Sequence, residues 1–217
     1  MSRTQLYLVT PVIQDAAAFA PLLQAALSPG GIAAVLLRLP DAVDERTAVN
    51  VVKALAPGVQ EAGAALIIGA APDLAALVAA RGGADGAHLA SGGEEALRDA
   101  LDRLRPDRIV GAGGILTRHD AMGAGELGVD YVMFGEATED GEQPPPELVA
   151  EFAAWWAEIF EVPCVALART EAEVATLAAT GAEFIALGQW VFADPERVAE
   201  HVATAARVVT EASPPPA

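Results

Sequence analysis

The 217-residue chain is predicted to fold as an α/β protein of the (β/α)8 class, a TIM barrel. Three observations predict it. Eight short runs rich in Val, Ile, Leu and Ala lie between Gln5 and Val209, and each leads into an Ala-rich stretch of helical character. Most of these runs are apolar throughout rather than alternating, as strands of a parallel sheet must be when both faces are covered. A Gly-(Ala or Val)-acid triplet precedes three of them: Gly83-Ala84-Asp85, Gly128-Val129-Asp130 and Gly181-Ala182-Glu183. Glycine suits the end of a helix, and the acid enters the strand. The length fits one barrel domain over residues 1–212, with a disordered tail over 213–217.

Taken in order, the first strand is Gln5–Thr10, ended by Pro11, and the first helix is Asp15–Leu27 with Asp15 as N-cap. Ser28-Pro29-Gly30-Gly31 is a turn. The second strand, Ala33–Leu39, is apolar except for Arg38 and stops at Pro40; the second helix, Asp44–Glu61, is expected to break near Pro57-Gly58. The third pair is Ala64–Ile68 and Asp73–Ala80, and the fourth is Asp85–Leu89 and Glu94–Leu104. The fifth is Arg108–Gly111 with a short helix at Thr117–Gly125. The sixth strand, Asp130–Phe134, opens the longest loop, Gly135–Pro146, before a helix at Glu147–Phe160 that carries Trp155 and Trp156. Pro163–Leu167 with Glu171–Ala179, and Glu183–Leu187 with Pro195–Thr210, complete the barrel.

Composition narrows the function. The formal net charge is −17, from 13 basic and 30 acidic residues, and Lys53 is the one lysine. Nucleic acid requires clustered Lys and Arg to neutralise phosphates, so neither nucleic acid nor an anionic membrane is an expected partner. No run is long enough to span a bilayer, and Met1–Val12 lacks the apolar core of a signal peptide. A single cysteine, Cys164, cannot form an internal disulfide and sits in an apolar run. It reads as a buried structural thiol, and a cytoplasmic location is expected.

In such a barrel the active site lies in the loops after the strands, and there the residues carry a resemblance. Leu6-Tyr7-Leu8-Val9-Thr10, Leu36-Leu37-Arg38, Leu66-Ile67-Ile68, Ala84-Asp85-Gly86-Ala87-His88-Leu89 and Asp130-Tyr131-Val132-Met133-Phe134-Gly135 resemble the thiamine phosphate synthase family, which includes a branch of thiazole tautomerases. The resemblance runs strand by strand over nearly the whole chain. It implies a transferase of thiamine biosynthesis that joins a pyrimidine diphosphate to a thiazole phosphate with Mg²⁺, releasing pyrophosphate.

The loops depart from that family's pattern. Where the family has Gln-Leu-Arg-x-Lys, this chain has Leu36-Leu37-Arg38-Leu39-Pro40, which keeps only the arginine. The Asn-Asp after the third strand is Gly69-Ala70, and after the fourth, where an acid is expected near Gly92-Gly93, neither residue is one and Ser91 is the nearest polar group. A Ser-Thr-His turn is Gly113-Gly114-Ile115, and a Thr-rich loop ending in Lys is the acidic Glu136–Gln143. A Gly-Gly turn is Ala168-Arg169-Thr170, and a Val-Ser phosphate contact is Gly188-Gln189. Mg²⁺ needs hard oxygen ligands, and the residues that supply them in the family are absent, so no metal site is assigned. The joining reaction is expected to be weak or lost, because removing one charge-stabilising group costs about 10²–10³ in rate.

Glu136 is the candidate catalytic residue, at the position where the tautomerase branch places a His; the opposing reading is a solvated acid among Glu139, Asp140 and Glu142. Arg38 and Arg169 stand at strand ends facing the same mouth and suit a phosphate or carboxylate. Arg38, buried in an apolar strand, would need a partner such as Glu136. Gly113 and Gly114, and Gly188 with Gln189, are the remaining anion-binding candidates. His88 is expected in a packed layer, and His119 and His201 in structural or exposed roles. Trp190 suits a pocket wall or packing. No metal-ligand spacing, Ser–His–Asp set or dinucleotide fingerprint is present. Three functions stand open: the family's synthase reaction in weakened form, a tautomerase-like isomerase using Glu136, and a non-catalytic binder of a phosphorylated small molecule. The apolar sixth helix can pack on the barrel or on a second copy of the chain in a homo-oligomer.

Overall fold

A computed structural model describes residues 4–138 and 140–213. Eight parallel strands close into a barrel in sequence order, with β8 pairing back onto β1. The units are β1 (Gln5–Val12) and α1 (Ala16–Leu27), β2 (Ile32–Arg38) and α2 (Glu45–Glu61), β3 (Ala65–Gly69) and α3 (Pro72–Gly82), and β4 (Gly86–Leu89) and α4 (Gly93–Leu104). They continue with β5 (Ile109–Ala112) and α5 (Arg118–Leu127), β6 (Tyr131–Phe134) and α6 (Pro146–Ile159), β7 (Cys164–Ala168) and α7 (Val174–Ala178), and β8 (Phe184–Leu187) and α8 (Val198–Ala212). The predicted (β/α)8 architecture is the observed one.

Alternation along the strands sorts the side chains into two cores. Leu6, Leu8, Val35, Leu37, Leu66, Ile68 and Val132 point outward and pack under the helices. Tyr7, Val9, Leu36, Ile67, Tyr131, Met133, Val165 and Leu167 fill the barrel interior. Successive strand residues face opposite sides, so the residues just beyond these inward positions stand at the mouth.

The Gly-acid triplets hold the opposite end. Asp85 Oδ2 accepts from the Leu66 N–H at 2.8 Å, Asp130 Oδ2 from Val110 at 2.7 Å, and Glu183 Oε2 from Cys164 at 2.9 Å. In each case the acid entering one strand caps a backbone donor at the start of the strand before it, which is a structural duty. Asp15 caps α1 as expected, accepting from Ala17 and Ala18.

Several expectations need correction. Pro11 does not end the first strand: β1 continues to Val12, and the pairing register with β2 shifts between Val9 and Val12, where an irregular ladder tolerates a residue without an N–H. Pro57 does not break α2. The helix buries Val51, Val52, Leu55, Ala56 and Val59 on both sides of it, and that packing outweighs one missing hydrogen bond. The seventh helix is split into a 3-10 turn at Glu171–Glu173 and a short α7, with the Glu173 carboxylate turned back onto the Arg169 N–H at 2.7 Å. The eighth helix begins at Val198 rather than Pro195, after a further 3-10 turn at Gln189–Phe192. Of the tail expected at 213–217, Ser213 closes α8 on the Val209 carbonyl, and 214–217 lie outside the described residues.

Trp156 of α6 is fully buried and donates to the Val162 carbonyl at 2.6 Å, while Ile159 on the same helix is exposed. Cys164 is buried, and burial pushes its thiol well above the usual range, in keeping with a structural role. Among the described residues no helix is long and apolar enough to cross a membrane.

Candidate functional site

A cavity of about 750 Å³ opens at the C-terminal ends of the strands. Arg38 from β2, His88 from β4, Glu136 after β6, Arg169 after β7, and Gly188 and Gln189 after β8 all line it. The structure thus brings five of the seven candidate residues, Glu136, Arg38, Arg169, Gly188 and Gln189, to one mouth and adds His88.

Glu136 is not a solvated loop acid. Gly135 adopts φ +105°, a conformation open to glycine, and turns the chain in across the top of the barrel as β6 ends. The Glu136 side chain is 12% exposed, and its Oε2 lies 2.6 Å from His88 Nε2. Burial raises the carboxyl's pKa, but the adjacent His88 ring and its hydrogen bond, the Arg38 guanidinium and the Gly114 N–H together outweigh it. They hold Glu136 below the usual carboxylate range.

His88 is buried as expected, but not in a purely apolar layer. Its Nδ1 lies 2.9 Å from the Tyr131 hydroxyl, and that hydroxyl lies 2.9 Å from the hydroxyl of Tyr7. The His88 and Tyr131 rings are nearly parallel, with an interplanar angle of 11°. Burial pushes both phenols well above their ordinary range, so both keep their protons. Four polar groups therefore form one hydrogen-bonded line from the barrel interior to the cavity.

Two glycines on one face of the fifth strand make room for this line. Gly111 pairs with His88 on one side and Tyr131 on the other, and a Cβ at Gly111 would overlap the Tyr131 ring. Two residues on, a Cβ at Gly113 would overlap Glu136 Oε2 and His88 Nε2. Gly113 and Gly114 do not line the main cavity; they border a neighbouring space of about 370 Å³. Gly113 closely approaches Glu136, and Gly114 offers Glu136 its N–H.

Arg38 is at the last position of β2 and is exposed, not buried, so no desolvation demands a partner for it. Thr10 fixes the backbone there: its Oγ1 accepts the Arg38 N–H at 3.1 Å. Arg169 donates to Gln143 Oε1 at 3.1 Å, across from the loop after β6. Trp190 packs rather than lining the cavity, with its Nε1 donating to the Ala168 carbonyl at 3.0 Å. His201 is buried against the Val191 carbonyl at 3.0 Å, and His119 is exposed beside the smaller cavity.

The Mg²⁺ implied by the family resemblance can be tested against the donors present. Gly69, Ala70 and Ser91 line the cavity at the loops where the family carries its acids, and the carboxylates among the described lining residues are Asp41 and Glu136. Glu136 is already engaged by His88 and Gly114. A hard dication bound with substrate phosphates is held by one or two free carboxylates; the one left free among the described lining residues, Asp41, stands after β2 and not in the loops after β3 and β4, so this set does not fit the family's metal site.

Sequence reasoning missed His88, Tyr131 and Tyr7 as parts of the site. The available signal was positional: Gly111 and Gly113 share the inward face of a strand flanked by His88 and Tyr131, and glycines there imply that neighbouring side chains cross the strand.

Comparison with known proteins adds the lineage. A family model described as thiamine monophosphate synthase matches residues 6–191. The chain is 42% identical over 212 residues to a thiamine-phosphate synthase of Rhodospirillum centenum, covering 96% of this chain and 99% of that one. It is 37% identical over 199 residues to a thiamine-phosphate synthase of Hyphomonas neptunium, covering 88% and 86%. Among solved structures, thiamine phosphate pyrophosphorylase from Pyrococcus furiosus superposes with a TM-score of 0.75 at 23% identity, over 96% of both chains. (S)-3-O-geranylgeranylglyceryl phosphate synthase from Thermoplasma acidophilum does so with a TM-score of 0.66 at 15% identity, over 96% of this chain and 94% of that one. At those identities the structural likeness shows the fold alone.

Proposed function

Because the chain belongs to the thiamine monophosphate synthase family, we propose that it serves thiamine biosynthesis, and that it does so as a proton-transferring isomerase of a phosphorylated thiazole. The observation that carries this reading is the 2.6 Å contact between His88 Nε2 and Glu136 Oε2 at the floor of the cavity. A carboxylate held ionised in a largely buried site can take a proton from a carbon or nitrogen of a bound ring and return it elsewhere. Such an isomerisation consumes nothing and releases nothing, so it needs neither a second substrate nor a diphosphate clamp. Arg38 and Arg169, exposed and half-buried on the cavity wall, supply positive charge for the substrate's phosphate. Gly188 and Gln189 border the same wall; the Gly188 N–H is taken by the Ala168 carbonyl at 2.9 Å, and the Gln189 side-chain amide supplies a donor there.

A second reading, the family's joining reaction with Mg²⁺, is favoured by the 42% identity to a named synthase over 99% of its length. Against it stand the substituted loops, which leave Asp41 as the one unengaged carboxylate among the described residues of the cavity. Two assays on the purified protein separate the readings: interconversion of thiazole phosphate tautomers in the presence of a chelator, and pyrophosphate release from the pyrimidine diphosphate and thiazole phosphate with Mg²⁺. The proposal expects turnover in the first and at most residual turnover in the second. The reverse result overturns it. Binding of the thiazole phosphate without turnover in either assay would leave the chain a binder and also overturn the proposal.

A further inference from the structure

The buried line Tyr7–Tyr131–His88–Glu136 contains three contacts, and its geometry limits how many protons it can hold. Tyr7 and Tyr131 each bring one hydroxyl proton, His88 brings one or two, and an ionised Glu136 brings none. The contacts are Tyr7 Oη to Tyr131 Oη at 2.9 Å, Tyr131 Oη to His88 Nδ1 at 2.9 Å, and His88 Nε2 to Glu136 Oε2 at 2.6 Å. Among the described residues the Tyr7 hydroxyl has no second hydrogen-bond partner. Three protons for three contacts satisfy every donor: Tyr7 donates to Tyr131, Tyr131 to Nδ1, and Nε2–H to Glu136. A fourth proton on the line would reverse both hydroxyls and leave the Tyr7 O–H with no acceptor among the described residues, which is costly for a group buried in the barrel interior.

We infer that Tyr131, backed by Tyr7, is a positioning residue that keeps His88 in the tautomer with its proton on Nε2 and a bare, hydrogen-bonded Nδ1, so that Glu136 faces a neutral N–H donor and serves as the base. Its functional weight rests on the proton-transfer reading above. A carboxylate beside an imidazolium is a weak base, because taking a proton would break an ion pair. Beside a neutral ring N–H it keeps the hydrogen bond without the ion pair, while the Arg38 guanidinium and the Gly114 N–H still favour its charged form, so it remains able to accept a proton. Gly111 is part of this device, since its missing side chain lets the Tyr131 ring lie flat against His88.

The test is nitrogen-15 NMR of the histidine rings in the full chain, with His88 assigned from the spectrum of His88→Gln. The chain has three histidines, so assignment is direct. In the wild-type protein at neutral pH, His88 is expected to show a protonated Nε2 and an unprotonated Nδ1 shifted by a hydrogen bond. Tyr131→Phe should move Nδ1 to the position of a nitrogen without a donor and lower kcat for isomerisation about 10-fold, with KM changed less than about twofold. Tyr7→Phe should keep the tautomer and the Nδ1 hydrogen bond. A wild-type His88 carrying a proton on Nδ1 overturns the inference without any variant having to fold. An Nδ1 signal that does not respond to Tyr131→Phe overturns it as well. If the NMR signatures appear as expected while no isomerisation is found, the tautomer assignment stands and the functional proposal alone fails.

Discussion

The Tyr131 ring occupies the space that a side chain at Gly111 would need. The two residues pair directly across β5 and β6, and His88 pairs with Gly111 from β4. The glycine thus joins two polar side chains over its own backbone, and Gly113 repeats the arrangement one layer up for His88 and Glu136. The inward face of one short strand decides whether the site exists.

Gly113→Ala should separate Glu136 from His88, since a Cβ there overlaps both of the atoms that meet. Displacing a general base costs about 10²–10⁴ in rate, and overpacking a dense interior costs about 1–3 kcal/mol. Steady-state kinetics and denaturant unfolding on the same sample read both. An alanine variant with unchanged kcat would show that the close approach is not needed.

His88→Asn should lower kcat by about 10²-fold or more while leaving KM near its wild-type value, because His88 meets Glu136 rather than the substrate's phosphate. Replacing the arginines should show the opposite pattern. Arg38→Ala and Arg169→Ala are expected to raise KM, each losing about 1.5–3 kcal/mol of charge-assisted hydrogen bonding, with smaller effects on kcat. A substrate analogue without its phosphate should not distinguish the arginine variants from wild type.

Stability should fall in acid because of Glu136. Its folded-state pKa lies below the ordinary value of 4.5, so the unfolded chain binds a proton first on acidification. The stabilisation is fully present above about pH 4.5 and is lost as pH drops from there through the lowered folded-state value. Chemical unfolding from pH 7 to pH 3 should show a shallower decline for Glu136→Gln than for wild type. Equal slopes would mean that Glu136 is not held ionised in the folded state.

At the far end of the barrel, Asp130→Ala should cost about 1–3 kcal/mol by leaving the Val110 N–H without its acceptor, with kcat unchanged in the protein that remains folded. Thermal unfolding together with kcat measured well below the midpoint checks this separation of stability from activity.

The barrel was legible because its signals are local and repeated. Apolar runs, Ala-rich helices and the Gly-acid triplets mark nearly every boundary, and the triplets proved to be strand-to-strand caps at Asp85, Asp130 and Glu183. The cavity wall was legible too, because the position of a residue after a strand places it at the mouth, as for Arg38, Arg169, Gly188 and Gln189. Contacts across the barrel were not. Nothing near His88 in the sequence names Tyr131 or Glu136 as its partners, which stand 43 and 48 positions away. Pro57 misled for a related reason: a proline's local cost is readable, while the packing of Val51, Val52, Leu55 and Val59 that offsets it is a tertiary effect.

The central claim is that Glu136 moves a proton in this cavity without a metal ion. The measurement that meets it directly is the rate of solvent-deuterium incorporation into a thiazole phosphate, followed with chelator present, for wild type and Glu136→Gln. The account predicts incorporation by the wild type and a loss of about 10²-fold or more in the variant, with phosphate-dependent binding retained in both. Incorporation that is equal in the two proteins, or that appears only when Mg²⁺ is restored, would contradict it.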